Sequence, residues 1–230
     1  YTTSNKINLQ NSVVVQSPQY IIEADSLDYY SNSKKAVFKG PTNIFLDADS
    51  IYCEGGMYDS NKQLAEFTKN AEIKSEENTL KADSIYVDQN LEISKAYNNV
   101  IVVDTVNKVE INGHYGFFDK SKNLSTVADS ALLIQFMDKD TLYIHGDTIR
   151  GMEDSEQQKS FYIYKGVRMF KNDIQTVCDS LSYSFSDSLI RLMQKPILWS
   201  GSNQLTGDTI SIFTYDNSLK KMYIDGHSMI

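Results

Sequence analysis

Six aspartates recur in nearly the same company: Asp25, Asp49, Asp83, Asp147, Asp179 and Asp208. They sit in IEADSL, LDADSI, LKADSI, IHGDTI, TVCDSL and LTGDTI, each followed by Ser or Thr and then Ile or Leu. Carboxylates placed so regularly suggest three kinds of chemistry. A facing pair would hydrolyse a glycosidic bond. A row would bind calcium. Taken singly, each would bond backbone groups left unpaired at a bend. Hydrolysis needs carboxylates in differing environments, whereas these share one environment and would form a ladder along one edge. The GGxGxD nonapeptides of calcium-binding β-helices are absent. The reading that stands is a structural corner.

Other reactive residues are sparse. His114, His145 and His227 are far apart and lack metal-ligand spacing. His114, in INGHYGFF, occupies the Asp position midway through the long gap between Asp83 and Asp147. No GxSxG, P-loop or GxGxxG is present. Cys178 fills a small-residue slot and reads as a packing residue. Cys53 and Cys178 lie four repeats apart, roughly 19 Å at a strand spacing of about 4.8 Å. A disulfide needs Cα atoms within about 7 Å, so two free, mostly buried thiols are expected. Arg150, Arg168 and Arg191 are the only arginines. They read as solvated outer-face residues, or as two that meet across rungs to hold an anionic headgroup. No catalytic residue, metal or cofactor is expected.

The elements that carry these residues read as β. Tyr is abundant, Pro scarce, and Ser, Thr, Asp and Asn common, which suits strands and polar turns. The net charge of −8 argues against a nucleic-acid partner. No apolar run approaches a membrane span. Residues 1–20 lack the features of a signal peptide, as a processed exported protein would. They form a lead-in to a single domain over 1–230.

Counting from each Asp as zero, positions −3 and −1 and then +2 and +4 carry the apolar or small residues. Around Asp83 these are Leu80, Ala82, Ile85 and Val87. Alternation with period two marks a strand with one buried face, and its slip by one residue at the Asp marks a β-bulge. A polar turn follows each strand, such as Asp59-Ser60-Asn61 or Asp216-Asn217-Ser218. A second strand comes next, as in AVFKGPTNI from Ala36, SKAYNNVIV from Ser94 or FYIYKGVRM from Phe161, with a polar or Gly pair at its centre. Seven such units, stepping by about 24 to 34 residues, would bury a shared interior between two sheets.

The motif [IL]-x-[AG]-D-[ST]-[IL], a polar turn, then A-x-F-x-x-N-x-x-[IV] resembles the OstA-like, LptA-type family of lipopolysaccharide-transport proteins, from about residue 20 to the end. That family includes the periplasmic bridge protein and the N-terminal domain of the outer-membrane translocon. The departures are the variable step, His114 for Asp, and Lys195-Pro196 where Gly-Asn is usual. The resemblance implies an open, twisted two-sheet β-jelly roll whose apolar groove takes the acyl chains of lipopolysaccharide or a related glycolipid. It implies a periplasmic, possibly outer-membrane-associated protein. Its members join other transport components, or themselves, end to end through edge strands. One twelve-carbon chain would gain roughly 10 kcal/mol gross at about 0.8 kcal/mol per buried CH₂.

The inward positions give the groove residues. In the first half of the chain they are Phe38, Ile51, Phe67, Ile73, Ile85, Val100 and Val102. In the second half they are Leu133, Ile149, Val167, Met169, Leu181, Leu198 and Ile210. Two other readings stand beside this one. A structural or adhesive repeat protein would fill the same interior. A carbohydrate-active β-helix enzyme would gather carboxylates on one exposed face.

Overall fold

The structure is a computed structural model and describes residues 5–227 except 19, 47, 139, 157, 216 and 217. Two residues of the last turn, Asp216 and Asn217, and the end of the last strand at 228–230 therefore lie outside the described residues. What is described is all-β, as expected: seventeen strands, one 3-10 turn at Lys120–Lys122 and no α-helix. The strands are β1 (Lys6–Gln16), β2 (Ile21–Tyr30), β3 (Lys35–Phe45), β4 (Ser50–Asp59), β5 (Leu64–Lys74), β6 (Asn78–Asp88) and β7 (Ile93–Asp104). They continue as β8 (Val109–Asp119), β9 (Leu124–Phe136), β10 (Thr141–Glu153), β11 (Lys159–Lys171) and β12 (Ile174–Ser184). The last are β13 (Leu189–Met193), β14 (Ile197–Ser200), β15 (Asn203–Thr206), β16 (Thr209–Tyr215) and β17 (Ser218–Asp225).

Two compact units divide the chain, residues 1–105 with 115–119, and residues 106–114 with 120–230. In the first, β1 to β7 pair antiparallel in chain order. In the second, β9 to β12 do the same. There β12 then pairs with β13 along one half and with β14 along the other, and β16 with β17 closes the series. The lead-in is thus a strand in its own right. β1 has the second-strand form, with Asn11-Ser12 at its centre and Leu9, Val13 and Val15 flanking, and it pairs with β2.

Bulges occur where the sequence slips phase. Opposite Asp25, the pair Asn11-Ser12 on β1 and the pair Gly40-Pro41 on β3 are skipped in the ladder. Lys69-Asn70 faces Asp83, Asp129-Ser130 faces Asp147, and Lys165-Gly166 faces Asp179. The residues of these pairs have φ near +60°, save Gly40 at 84° and Pro41, whose ring fixes it negative. Gln194 and Lys195 are left-handed too and split one second strand into β13 and β14. This explains the central Asn, Gly and Lys pairs, because the left-handed region suits Gly and Asn and penalises branched side chains.

One corner was misplaced. Asp49 does not sit at a bulge: it lies in the turn between β3 and β4, where Leu46 N–H donates to the Asp49 carbonyl. Leu46, expected inward, is exposed. The corner of β4 is Glu54. Lys39 and Thr42 of β3 pair with Ser26 and Ala24 around Asp25, and on their other side with Gly55 and Cys53 around Glu54. With Glu54 in place the corners fall at 25, 54, 83, 114, 147, 179 and 208. The steps become 29, 29, 31, 33, 32 and 29 residues, more even than the spacing of the aspartates themselves.

At the Asp25 corner Ser26 Oγ donates to the Lys39 carbonyl at 3.2 Å, a backbone bond of the kind expected. At four others the bonds found run to side chains rather than to unpaired backbone. Asp83 accepts from Asn99 Nδ2 at 3.0 Å and Glu54 from Asn70 Nδ2 at 3.0 Å. Asp147 accepts from Thr148 Oγ1 at 2.9 Å and lies 3.6 Å from Lys165 Nζ. Asp208 lies 3.2 Å from His227 Nδ1. Asn99, Asn70 and Lys165 belong to left-handed pairs, which aim their side chains at the facing corner.

The polar turns also stack. Ser31, Ser60 and Thr214 each donate both N–H and hydroxyl to one carbonyl across the sheet, at Asn5, Lys34 and Ser188. Farther along, Asp28 ties three strands together. Its carboxylate, almost wholly buried, pairs with Lys39 Nζ of β3 and accepts from Asn8 Nδ2 of β1 at 2.5 Å, with Lys6 Nζ at 2.9 Å. The hydrogen bond from Lys39, then those from Asn8 and Lys6, hold the carboxyl well below the usual carboxylate range.

Asn98 has φ 58° and is exposed. Asn98→Val should cost about 1–2 kcal/mol, the penalty for forcing a branched residue left-handed, and Asn98→Gly should cost nothing, both read from urea midpoints. A depressed folded-state pKa gives stability that is complete above the unfolded value near 4 and lost as pH falls through the folded one. Asp28→Asn should therefore flatten the loss of stability as pH falls from about 5 to about 2; equal acid sensitivity in both proteins would show that the tie contributes nothing.

Candidate functional site

The phase slip puts −3, −1, +2 and +4 of every strand on the same buried face, so the interior is built of rungs that cross the sheet. In the first unit the −3 rung runs Val15, Ile22, Ile44, Ile51, Ile73, Leu80, Val102, each paired with the next. The −1 rung is small: Ala24, Thr42 and Cys53 on one stretch, Ala71 and Ala82 on another. The +2 rung alternates, with Leu27, Phe38, Gly56, Phe67, Ile85 and Ala96 in register. Gly56 is required there, since a Cβ would lie 2.2 Å from the Glu66 carbonyl oxygen. The +4 rung sets Tyr29 and Tyr58 against Ala36 and Ala65.

In the second unit the −3 rung is Leu133, Ile144, Met169, Thr176, Leu198, Leu205, and the −1 rung pairs Val167 with Cys178. Its +2 rung is Val127, Ile149, Ile163, Leu181, Leu192, Ile210 and Ile224. All fourteen residues chosen from the sequence fall on these inward rungs or, for Val100, on the buried face beside Ala82. Phe38, Phe67, Ile85 and Val100 are buried in the first unit. Leu133, Ile149, Val167, Met169, Leu181, Leu198 and Ile210 are buried in the second. Ile51, Ile73 and Val102 are half-buried against the first unit's core, together with Leu80 and Val15.

The two units therefore differ along the −3 rung. In the second unit Leu133, Ile144 and Leu198 are sealed from solvent, whereas in the first the middle and far members of the rung keep part of their surface accessible. The choice from sequence omitted Ile22, Ile44, Leu80 and Val15. The signal for Ile22 and Leu80 was present in the −3 slot, Ile44 closes the second strand AVFKGPTNI, and Val15 was hidden by treating residues 1–20 as a lead-in.

Polar groups are scarce on this face. Thr42 Oγ1 donates to the Gly40 carbonyl at 3.0 Å. Among the described residues Thr176 Oγ1 is buried with no partner. Both cysteines are free and buried; burial raises the Cys53 thiol and pushes that of Cys178 up to about 11, so neither is a ready nucleophile. The arginines are exposed and do not meet. Arg168 faces His145 and Val177, while Arg150 and Arg191 share a rung with Tyr162 and Ser182 between them. Among the described residues no three His, Cys, Asp or Glu come together as a metal site would require. Nothing in the interior calls for reacting groups; its chemistry is dispersion and burial of apolar surface.

Such a fold defines an antiparallel β-repeat protein whose two units each carry an apolar inner face. Over residues 51–218 the chain matches the LptA and LptD N-terminal-domain family of lipopolysaccharide transport proteins, and it belongs to that family. Residues 1–83 match the OstA-like proteins. None of the curated proteins matches the chain. Among solved structures it is similar to LptH, the LptA-homologous periplasmic component of the lipopolysaccharide transport device of Pseudomonas aeruginosa. The identity is 16%, with 64% of this chain and 94% of that chain covered, and the TM-score is 0.45.

Thr176 supplies a test of the interior. Thr176→Val removes an unsatisfied buried hydroxyl and keeps the shape, so thermal or urea unfolding should show a gain of about 1 kcal/mol. A loss of stability would mean that the hydroxyl has a partner in solution.

Proposed function

We propose that this protein carries lipopolysaccharide, or a related glycolipid, across the periplasm toward the outer membrane, without catalysis. The acyl chains lie along the apolar inner rungs and the sugars stay in water. The reading takes residues 1–230 as one OstA-like domain. Other components of the transport device, or further copies, meet it end to end through edge strands. Family membership supports the cargo. The observation that carries the binding mode is the half-open aliphatic rung Ile51, Ile73, Leu80, Val102, where apolar surface remains for an alkyl chain to cover. The dry rung of the second unit favours a filled core there, so entry is assigned to the first unit.

The test is site-specific photo-crosslinking in cells with a benzophenone amino acid at Ile73, which faces inward, and at Glu72, which faces outward toward Lys81. A lipopolysaccharide adduct at 73 and none at 72 is expected. Adducts at neither position in a folded protein would overturn the lipid reading and leave the filled-core structural one.

A further inference from the structure

The outward face of the second unit differs from that of the first. In the first unit the outward rung beside the −3 positions reads Glu23, Asn43, Tyr52, Glu72, Lys81, Ile101. It is largely polar, and Lys81 pairs with Glu72 at 3.0 Å. In the second unit the corresponding rung carries His145, Arg168 and Val177, and the next carries Tyr143, Phe170, Gln175 and Trp199. These residues line a cavity of about 280 Å³ on the outward side of the sheet, floored by Leu132 and Val177.

Three aromatic side chains stand there partly in water. Tyr143 is 40% exposed, Phe170 47% and Trp199 36%. Tyr143 and Phe170 rings lie 6.4 Å apart, and Trp199 is fixed by its Nε1–H donating to Gln204 Oε1 at 2.9 Å. Tyr143 and Trp199 sit on strands three steps apart, about 14 Å at strand spacing. Among the described residues Arg168 has no carboxylate partner, and it lines the same cavity. Such a set fits one ligand chemistry. Aromatic faces carry negative charge and attract the polarised C–H face of a sugar ring. A glutamine amide serves hydroxyls as donor and acceptor. An unpaired guanidinium takes a carboxylate or phosphate through a charge-assisted bond.

We propose that this outward dish binds a lipid-free acidic saccharide, with sugar rings on Tyr143, Phe170 and Trp199 and the anionic group on Arg168. The occupant is water-soluble rather than lipid-anchored, because the aromatic and charged lining stands on the outward face and only Met169 and Thr176 of the inward rung border the cavity. The site is independent of the carrier reading and goes beyond it.

Trp199 is the single tryptophan of the chain, so its fluorescence reports this site alone. Trigalacturonate, acidic and free of acyl chains, should give a saturable change at millimolar concentration. Maltotriose, which is uncharged, should bind about tenfold more weakly, as should trigalacturonate to Arg168→Gln, the loss of one charge-assisted contact. Phe170→Ala should abolish the response, with circular dichroism confirming that both exposed-site variants remain folded. No saturable change with either sugar would overturn the proposal and leave the patch to a protein partner. Equal affinity for both sugars, unaltered in Arg168→Gln, would overturn the anionic part. Because neither probe carries an alkyl chain, either result leaves the crosslinking outcome at Ile73 unaffected.

Discussion

Everything in this fold depends on a backbone constraint: a strand with period two cannot bend without turning its side chains over. A one-residue slip would send the second half of each apolar set into water. The chain meets this with two consecutive residues, mostly left-handed, set opposite a single corner residue. The bulge absorbs the slip, and both halves keep their apolar positions on one face. The corner acid then receives the side chain that the left-handed pair turns toward it. The recurring aspartate is thus a fastening, and its recurrence follows from recurring geometry rather than from repeated chemistry.

Once the bends are fixed, the interior follows from side-chain size. The aliphatic −3 rung, the small −1 rung and the alternating +2 rung give each unit an inner face of graded depth. That inner face contains little that could distinguish one apolar guest from another except length and cross-section. A family that moves lipopolysaccharide is well served by a surface of this kind. Under the proposed carrier role, weak, undirected contacts would let an alkyl chain slide from rung to rung, whereas a hydrogen bond at any rung would hold it there.

Much of this was legible in the sequence, and the failures have physical causes. The −3, −1, +2, +4 pattern identified the inward face correctly because burial constrains side-chain type at those positions. Asp49 misled because LDADSI imitates the corner motif while lying in a turn. Glu54 was missed because its neighbours Gly55 and Gly56 replace the usual Ser/Thr and Ile/Leu, although Cys53 before it fills the small slot. His114, flanked by Gly113 and Gly116, shows that glycines after the corner are an alternative form of the same motif. The half-open state of Ile51 and Ile73 was not legible, since an aliphatic rung has the same composition whether covered or bare. The outward dish was hidden for a related reason. Tyr143, Phe170 and Trp199 alternate with Ile144, Met169 and Leu198, and a run apolar on both faces reads only as a buried strand.

The unequal steps between corners have a further consequence. From −3 to +4 each strand keeps a fixed frame of eight residues, and the differences in step are taken up in the turns and strand ends outside it. The chain is therefore modular in the manner of a ruler whose marks are rigid and whose blanks are elastic. Each unit contacts chiefly its neighbours in sequence, and each carries its own bend. Growth by duplicating a unit would lengthen the inner track by one strand pair without disturbing the rest. A single residue gained or lost inside the frame would turn half a strand inside out.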